Sequence, residues 1–542
     1  MFYCENCGMK LPQDAVFCEN CGKKVASNKE LNNTVASTYC QDIFIFEKAD
    51  WKKPWKTNRA NAFRAIILTN TSDCNAQQRE KFYKSLKEYT DFRRKRGNVE
   101  YFVLDMKLQR IVKASMMAKT SSVDFILKVL KEIYSVRTPD YLFIVGDRDA
   151  VGSISWNNPL HQSPSINRDS DKTVDSDLPY VTLSITSPFK SVSFQYTVKV
   201  GRVPAQAKSG FEQAINYFIY TIFVANTHDL GRDAKPLVLC AEEWQNCSRE
   251  IFAPNSNELY PCGPYSFVPN PKTQLLRSNT SHNLYCFNLH GSPTMDYWVN
   301  GDGCPAYSPQ ALPINEGYVI GTEACYGAKP IFKEAKEQSI LVTAMQSGCL
   351  GYLGSTQIAF GISDEYYEPG CELSCADAMV GKFIKYVSEG YSLGESYIKS
   401  LKDMLNNDDS KKLRGEECKT LASFALYGDP SLKCFKANIK LNESKSFDCE
   451  ASKDTSIHIV MPDIITAVEA RIAKVNQEIA EIIDNFVNTT YPSFSGAKPT
   501  YFRLEDNSGY TASYNKMQNG LTKIMNIYFD DIGNITDVFV TK

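Results

Sequence analysis

Histidine is scarce in this chain, with 5 among 542 residues, at positions 161, 228, 282, 290 and 458. So small a set leaves few candidates for a metal centre built on imidazole or for a general base. A charge excess is also missing, since 60 basic residues face 62 acidic ones and the net charge is −2. Without a basic surplus there is no electrostatic footprint for nucleic acid or an anionic membrane surface. No apolar run approaches the roughly 20 residues needed to span a bilayer. The start, Met1-Phe-Tyr-Cys4, lacks a basic segment followed by an apolar stretch, so no secretory signal is expected and the expected location is cytoplasmic. In that compartment thiols stay reduced, and disulfides are a poor explanation for the 18 cysteines. What remains, 43% hydrophobic and 23% charged residues, is ordinary for a globular protein of several domains.

Two segments carry the chemistry. Asn283-Leu-Tyr-Cys-Phe-Asn-Leu-His290-Gly291-Ser292 and Tyr318-Val-Ile-Gly-Thr-Glu323-Ala-Cys325-Tyr-Gly327 each read as a buried strand ending in a reactive side chain. Two neighbouring parallel strands, separated by one strand-helix-strand unit, would bring the imidazole of His290 and the thiol of Cys325 to one sheet edge, where open α/β sheets place their sites. A nearby imidazole is a common means of producing a nucleophilic thiolate at neutral pH. The plain alternative is that Cys325 is one more buried thiol, since cysteine is among the most buried residue types.

The amino terminus holds Cys4-Glu-Asn-Cys7-Gly8 and Cys18-Glu-Asn-Cys21-Gly22, two near-identical knuckles ten residues apart. Each knuckle offers two thiolates from one tight turn, and four thiolates suit the tetrahedral preference of Zn²⁺. The expectation is a structural zinc ribbon on Cys4, Cys7, Cys18 and Cys21, too small to fold without its metal and with no open coordination position for catalysis. Residues 26–58 follow as a linker.

From Arg64 onward strands and helices alternate. Ala65–Leu68, Tyr101–Leu104 and Tyr141–Val145 read as strands, and the stretches from Gln77 to Lys95 and Phe125 to Tyr134 as helices. The order argues for a parallel sheet covered on both faces.

With the His-Gly and Glu-Ala-Cys-X-Gly segments in place, the chain resembles the gingipain-type cysteine peptidases, in the clan that includes caspases and legumains. Further matches run in the same order: Tyr141-Leu-Phe-Ile-Val-Gly-Asp147, Val200-Gly-Arg-Val-Pro204, Gly351-Tyr-Leu-Gly-Ser-Thr356 and Ala425-Leu-Tyr-Gly-Asp-Pro-Ser-Leu432. The resemblance implies a three-layer α/β/α catalytic domain in two parallel-sheet halves, residues 59–230 and 231–440, with the catalytic pair in the second. It implies a cysteine endopeptidase acting on proteins or peptides through a thioester, with Cys325 as nucleophile, His290 as acid and base, and the N–H groups of Gly291 and Cys325 facing the oxyanion. It further implies a carboxylate that orients the histidine, for which Glu242 stands nearest; a solvated surface glutamate is the other reading of that residue. Arginine-cleaving relatives place an acid a few residues further on, where Ser248 stands here, and the segment with Ser355, Thr356 and Phe360 would form another pocket wall. A preference for Arg or Lys is the expectation. Calcium stabilises several relatives, and no clustered carboxylate loop stands out for it here. Gingipain-type enzymes are secreted, from which the start of this chain departs.

Residues 441–542 fall outside the resemblance. Ile465, Val468, Ile472, Val475, Ile479, Ile482 and Phe486 form one apolar helical stripe. It would pack on a small sheet from Pro499–Leu504, Lys523–Phe529 and Thr536–Val540, making an α+β domain; a coiled-coil dimer is the alternative. The ribbon or this domain would recruit a regulatory partner. A second class of function stays open, a catalytically silent binding or scaffold protein built on a peptidase fold.

Overall fold

The computed structural model describes residues 2–3, 10–11, 44–45, 62–108, 122–163, 166–184, 187, 198–228, 230–252, 259–262, 282–332, 338–362, 364–365, 373–405, 413–436, 470–504, 508–518 and 521–542. The four ribbon cysteines and almost all of the expected linker lie outside them. Phe2–Tyr3 and Lys10–Leu11 pair antiparallel, bracketing the first Cys-X-X-Cys in sequence.

Eleven strands build one sheet. In chain order they are β1 (Phe44–Ile45), β2 (Phe63–Thr69), β3 (Val99–Asp105), β4 (Tyr141–Val145), β5 (Lys199–Val203), β6 (Pro236–Ala241), β7 (Leu259–Cys262), β8 (Leu284–Asn288), β9 (Tyr318–Thr322), β10 (Cys349–Ser355) and, after a two-residue strand β11 (Phe360–Gly361) that belongs elsewhere, β12 (Phe424–Gly428). The spatial order is β7-β6-β8-β9-β10-β12-β5-β4-β2-β3-β1. All neighbours are parallel except β10 and β12, whose antiparallel register sets Gly351 against Gly428 and Ser355 against Phe424. The two halves expected from the sequence are therefore fused into one sheet, in which β12 of the second half runs parallel to β5 of the first and the strand direction reverses at the β10–β12 seam. β1 comes from the stretch expected to be linker and pairs with β3 at the sheet edge.

The apolar strands reflect burial on both faces, as in β3, β4, β8, β9 and β10, where every residue is buried. Among the helices, α1 (Ala76–Gly97) starts at a capping box between Asn75 and Gln78, ends at Asn98 in the left-handed region and carries Arg94, Lys95 and Arg96 in its last turn, where cations complement the helix dipole. Helix α2 (Val123–Tyr134) begins at Ser122, whose side chain accepts from Phe125 N–H, and buries Ile126, Val129, Leu130 and Ile133 at helical spacing. α3 (Glu212–Thr227), α4 (Gln245–Phe252), α5 (Ile340–Met345), α6 (Cys375–Ser388), α7 (Leu393–Leu405) and α8 (Gly415–Ser423) complete the covering layers. Near the junction of the halves, Gly428 has φ +119° and the next residue, Asp429, is buried and receives the hydroxyls of Tyr89 at 2.6 Å and Tyr101 at 2.5 Å. The Gly-Asp-Pro signature is thus a structural lock between the first half and the last strand.

The carboxy-terminal region is a second, antiparallel sheet: β13 (Ala470–Ile472), β14 (Thr500–Leu504), β15 (Tyr510–Gln518), β16 (Leu521–Phe529) and β17 (Ile535–Thr541), covered by α9 (Gln477–Thr490). The order β11-β17-β16-β15-β14-β13 shows that β11 of the catalytic half is its edge strand. The single long stripe expected from Ile465 to Phe486 does not form. Ile465 and Val468 lie outside the described residues, Ile472 is an exposed strand residue, and α9 begins only after Asn476, whose side chain caps Ile479 N–H. Its buried face is Ile479, Ile483 and Val487, packed on Ala512, Tyr514, Met525, Ile527 and Val538 of the sheet. Strand β15 was missed by the sequence reading, because Tyr510–Gln518 has too few apolar residues to show a period. Among the described residues no helix is long and apolar enough to cross a membrane.

Candidate active site

Strands β8 and β9 are parallel neighbours, with Leu284 opposite Val319 and Phe287 opposite Thr322, so their carboxy-terminal extensions leave the sheet side by side. The connection between them carries a hairpin, Trp298–Val299 with Pro305–Tyr307, rather than the expected helix. That hairpin has a task, since Val299 and His290 exchange two main-chain hydrogen bonds of 2.9 Å and thereby fix the histidine backbone. The next residue, Gly291, lies directly on the Cys325 backbone: a Cβ there would stand 1.8 Å from Cys325 O. Only a residue without a side chain permits that approach. Tyr326, following the cysteine, takes the left-handed conformation with φ +55°, a local strain of the kind that persists where surrounding contacts hold it.

His290 is buried and its Nε2 lies 2.7 Å from Oε1 of Glu243. The sequence reading placed the carboxylate beside His290 at Glu242; the one that bonds the imidazole is the adjacent residue, Glu243. After β6 the chain turns through one 3₁₀ turn, Glu242–Trp244, which leaves Glu242 exposed and swings Glu243 toward the histidine. A turn of three residues per revolution separates adjacent side chains by about 120°, so an error of one position exchanges site for solvent. Lys523 of β16 lies 3.6 Å from the same Glu243 oxygen. Burial would raise the Glu243 carboxyl, but His290 and Lys523 outweigh it and hold it at about 2. Burial also lowers the imidazole of His290 below its usual range, against the opposing pull of Glu243.

The Cys325 thiol is buried and bonds to the main chain of Ala359, accepting from its N–H at 3.3 Å and facing its carbonyl at 3.5 Å. Burial pushes this thiol up to about 12, with the Ala359 N–H opposing. The segment that carries Ala359 is fixed by Asp171, which accepts from Ile358 N–H at 2.8 Å, from Tyr326 hydroxyl at 2.5 Å and from the buried ammonium of Lys419 at 2.7 Å. Lys419, on α8, also bonds Asp169.

The cleft beside the thiol is filled by the last residues of β17. Thr541 pairs with Phe360 and Val540 with Gly361 as antiparallel partners. Lys542 N–H donates to Ala359 O at 3.0 Å, and Cys325 N–H donates to Lys542 O at 3.2 Å. The Lys542 side chain is fully buried. Its Nζ donates to Ile362 O at 2.7 Å, lies 3.1 Å from Asp377 and 3.5 Å from Glu323, and sits 4.5 Å from the centre of the Trp244 ring. The opposite contact of that ring is the His290 imidazole, 4.3 Å away edge-on. Asp377 is anchored by Ile362 N–H at 2.7 Å. Burial and the neighbouring Asp377 raise the Glu323 carboxyl well above the usual range, against Lys542. Gly361 is required here, because a Cβ would meet Lys542 Cε at 2.1 Å and Asp377 Oδ2 at 2.3 Å.

Other residues singled out from sequence occupy different places. Ser248 is buried and receives Asn288 Nδ2 at 3.0 Å; its neighbour Cys247 lies close enough to the acid pair and Lys542 to feel their charge. Ser355 bonds the Ser423 hydroxyl at 3.0 Å, and Thr356 bonds Ser423 O at 3.2 Å, both tying the loop to α8. Phe360 does line the cleft, by main-chain pairing. The residues missed were Glu243, Trp244, Asp377 and Lys542. Asp377 carried a signal in sequence, as an acid on the buried face of a helix among Ala376, Ala378, Met379 and Val380.

The carboxy-terminal edge of two neighbouring parallel strands thus carries an imidazole bonded to a carboxylate and a buried thiol. Residues 60–435 match Peptidase family C25, and the chain belongs to that family of cysteine peptidases. Residues 3–25 match a zinc-ribbon domain. No curated protein matches the chain significantly. A solved structure described as "Structure of Protease" aligns at 12% identity over 89% of this chain and 92% of the other, with a TM-score of 0.44.

Proposed function

We propose that the chain is a lysine-directed endopeptidase in which Cys325 is the nucleophile and His290 moves the protons. The observation that carries this reading is Lys542, whose side chain fills an acidic pocket while its main-chain oxygen accepts from Cys325 N–H. A substrate lysine bound the same way would present its carbonyl to the thiol. With the thiol raised by burial and the imidazole lowered, the resting pair is thiol and neutral imidazole. The thiolate then forms as His290 takes the proton, Sγ bonds to the carbonyl carbon, and the negative oxygen is held by Cys325 N–H. Imidazolium next donates to the amine as the C–N bond breaks, leaving a thioester. Water, deprotonated by His290, adds to that thioester and releases the acid. Glu243 acts through His290, holding the ring and favouring its charged form.

Asp377 and Glu323 set the preference for a cation, and Ile362 O with the Trp244 face suits a single ammonium donor more closely than a flat guanidinium fork. At the amino terminus, Cys4, Cys7, Cys18 and Cys21 would hold Zn²⁺ in a closed tetrahedral shell, a structural role without a position for water. Partners recruited by that ribbon would be proteins.

The test is a cleavage profile on a peptide library for the native chain and for Lys542→Ala, each with and without Cys325→Ala. Cleavage after lysine by the Lys542→Ala chain that vanishes when Cys325→Ala is added is expected. Cleavage that survives Cys325→Ala, or that ignores lysine, contradicts the reading.

A further inference from the structure

Resting on that reading, we propose that Val540–Lys542 is a cis-acting occupant of the catalytic cleft, which shuts the site to other peptides until the segment is displaced. Three independent contacts place it. The main chain extends the edge strand β11 as a peptide would by strand addition, with Thr541 on Phe360 and Val540 on Gly361. The Lys542 main-chain groups use two polar positions beside the nucleophile, the Ala359 carbonyl and the Cys325 N–H. The side chain takes the acidic pocket, leaving its ammonium with no exposure to solvent. Each contact is one that an incoming substrate would need.

The occupant is delivered by a folded element. β17 is paired along its length with β16, from Ile535 opposite Phe529 to Val540 opposite Met525. β16 itself reaches the site through Lys523 on Glu243, and Arg414, the N-cap of α8, pairs with Asp537 at 3.0 Å. A segment tethered this way competes at an effective concentration in the millimolar range or higher, so a free peptide of ordinary affinity does not displace it. The tether also defines the route to opening. Only the last residues need to leave β11, since the pairing of β17 with β16 does not depend on the cleft. A protein that captures the β17 edge, or a substrate carrying several subsites, would supply the missing free energy.

The test reads binding rather than turnover, so its result is independent of the catalytic assignment. A fluorescent peptide ending in Val-Thr-Lys is titrated by anisotropy into full-length Cys325→Ala, Cys325→Ala with Lys542→Ala, and Cys325→Ala with Lys542→Met. The methionine variant keeps the buried stem and guards against a folding defect in the alanine chain; both are checked by thermal unfolding. Binding at least ~10-fold tighter to the Lys542 variants than to the chain that retains Lys542 is the expected result. Equal affinity in all three chains, or no binding to any, overturns the proposal. Hydrolysis by the same variants with Cys325 restored reports separately on the peptidase reading.

Discussion

Two buried lysines reach the neighbourhood of Cys325, and each is held by two carboxylates. Lys419 projects from the middle of α8 onto Asp169 and Asp171; Lys542 ends a strand and enters the pocket of Asp377 and Glu323. Both side chains are almost wholly shielded, and both ammonium groups are raised above their usual range against the cost of burial, by Asp169 first in one case and Asp377 first in the other. The difference is covalent and topological. Lys419 is held in the middle of a helix, so its charge is part of the scaffold that holds Asp171, Tyr326 and Ile358 around Cys325. Lys542 can withdraw by unpairing three residues, and water then reaches the acids it covered. On the proposed reading, equal burial describes a structural ion cluster in one place and an occupied binding pocket in the other.

The comparison breaks most visibly in stability. Lys419→Met leaves two buried acids without their cation and should cost ~3–5 kcal/mol in denaturant unfolding. Lys542→Met should cost about 1 kcal/mol, because its pocket can hydrate and Glu323 is already raised toward its neutral form. Equal losses would erase the distinction.

The next effect is on the histidine. Glu243→Gln removes the carboxylate that favours imidazolium, so the pKa of His290 should fall and kcat should drop roughly 10²-fold, near the low end of what a positioned acid–base group supplies. Lys542→Met acts with the opposite sign. Lys542 is among the charges that lower His290, so His290 should titrate at higher pH in Lys542→Met, read from its ring-proton NMR shift. A smaller effect is expected at Gly361. Gly361→Ala places a methyl against both Asp377 and the lysine stem and should cost ~1–3 kcal/mol as overpacking while Val540–Lys542 is seated. In a Lys542→Ala chain the same substitution should be milder, which thermal unfolding of the double variant checks.

Much of this was legible in the order of residues. The strands ending at His290 and Cys325 were readable because a buried parallel strand is a continuous apolar run, and they are neighbours as that pattern implies. The glycine after the histidine was readable for the same reason it is needed, a backbone pressed on a backbone. Glu243 was missed by one position, since local sequence does not state the phase of a single 3₁₀ turn. The acid of the pocket was sought near Ser248, on α4, whereas Asp377 arrives from α6, more than a hundred residues later; that meeting is tertiary. Lys542 was invisible as a site residue because the groups around its side chain come from the first 440 residues and meet it only through the long-range β11–β17 pairing. The antiparallel β10–β12 seam was hidden likewise, as each half alone satisfies the alternating pattern.

The central claim is that Asp377 and Glu323 form a lysine pocket that Lys542 occupies in cis. It is tested most directly by comparing kcat/KM for a lysyl peptide and its norleucyl analogue in a Lys542→Ala chain, with and without Asp377→Asn. The account predicts a lysine preference of roughly 10²-fold or more, consistent with a charge pair worth several kcal/mol in a water-poor pocket, collapsing toward parity with Asp377→Asn. A preference that Asp377→Asn leaves intact would contradict it.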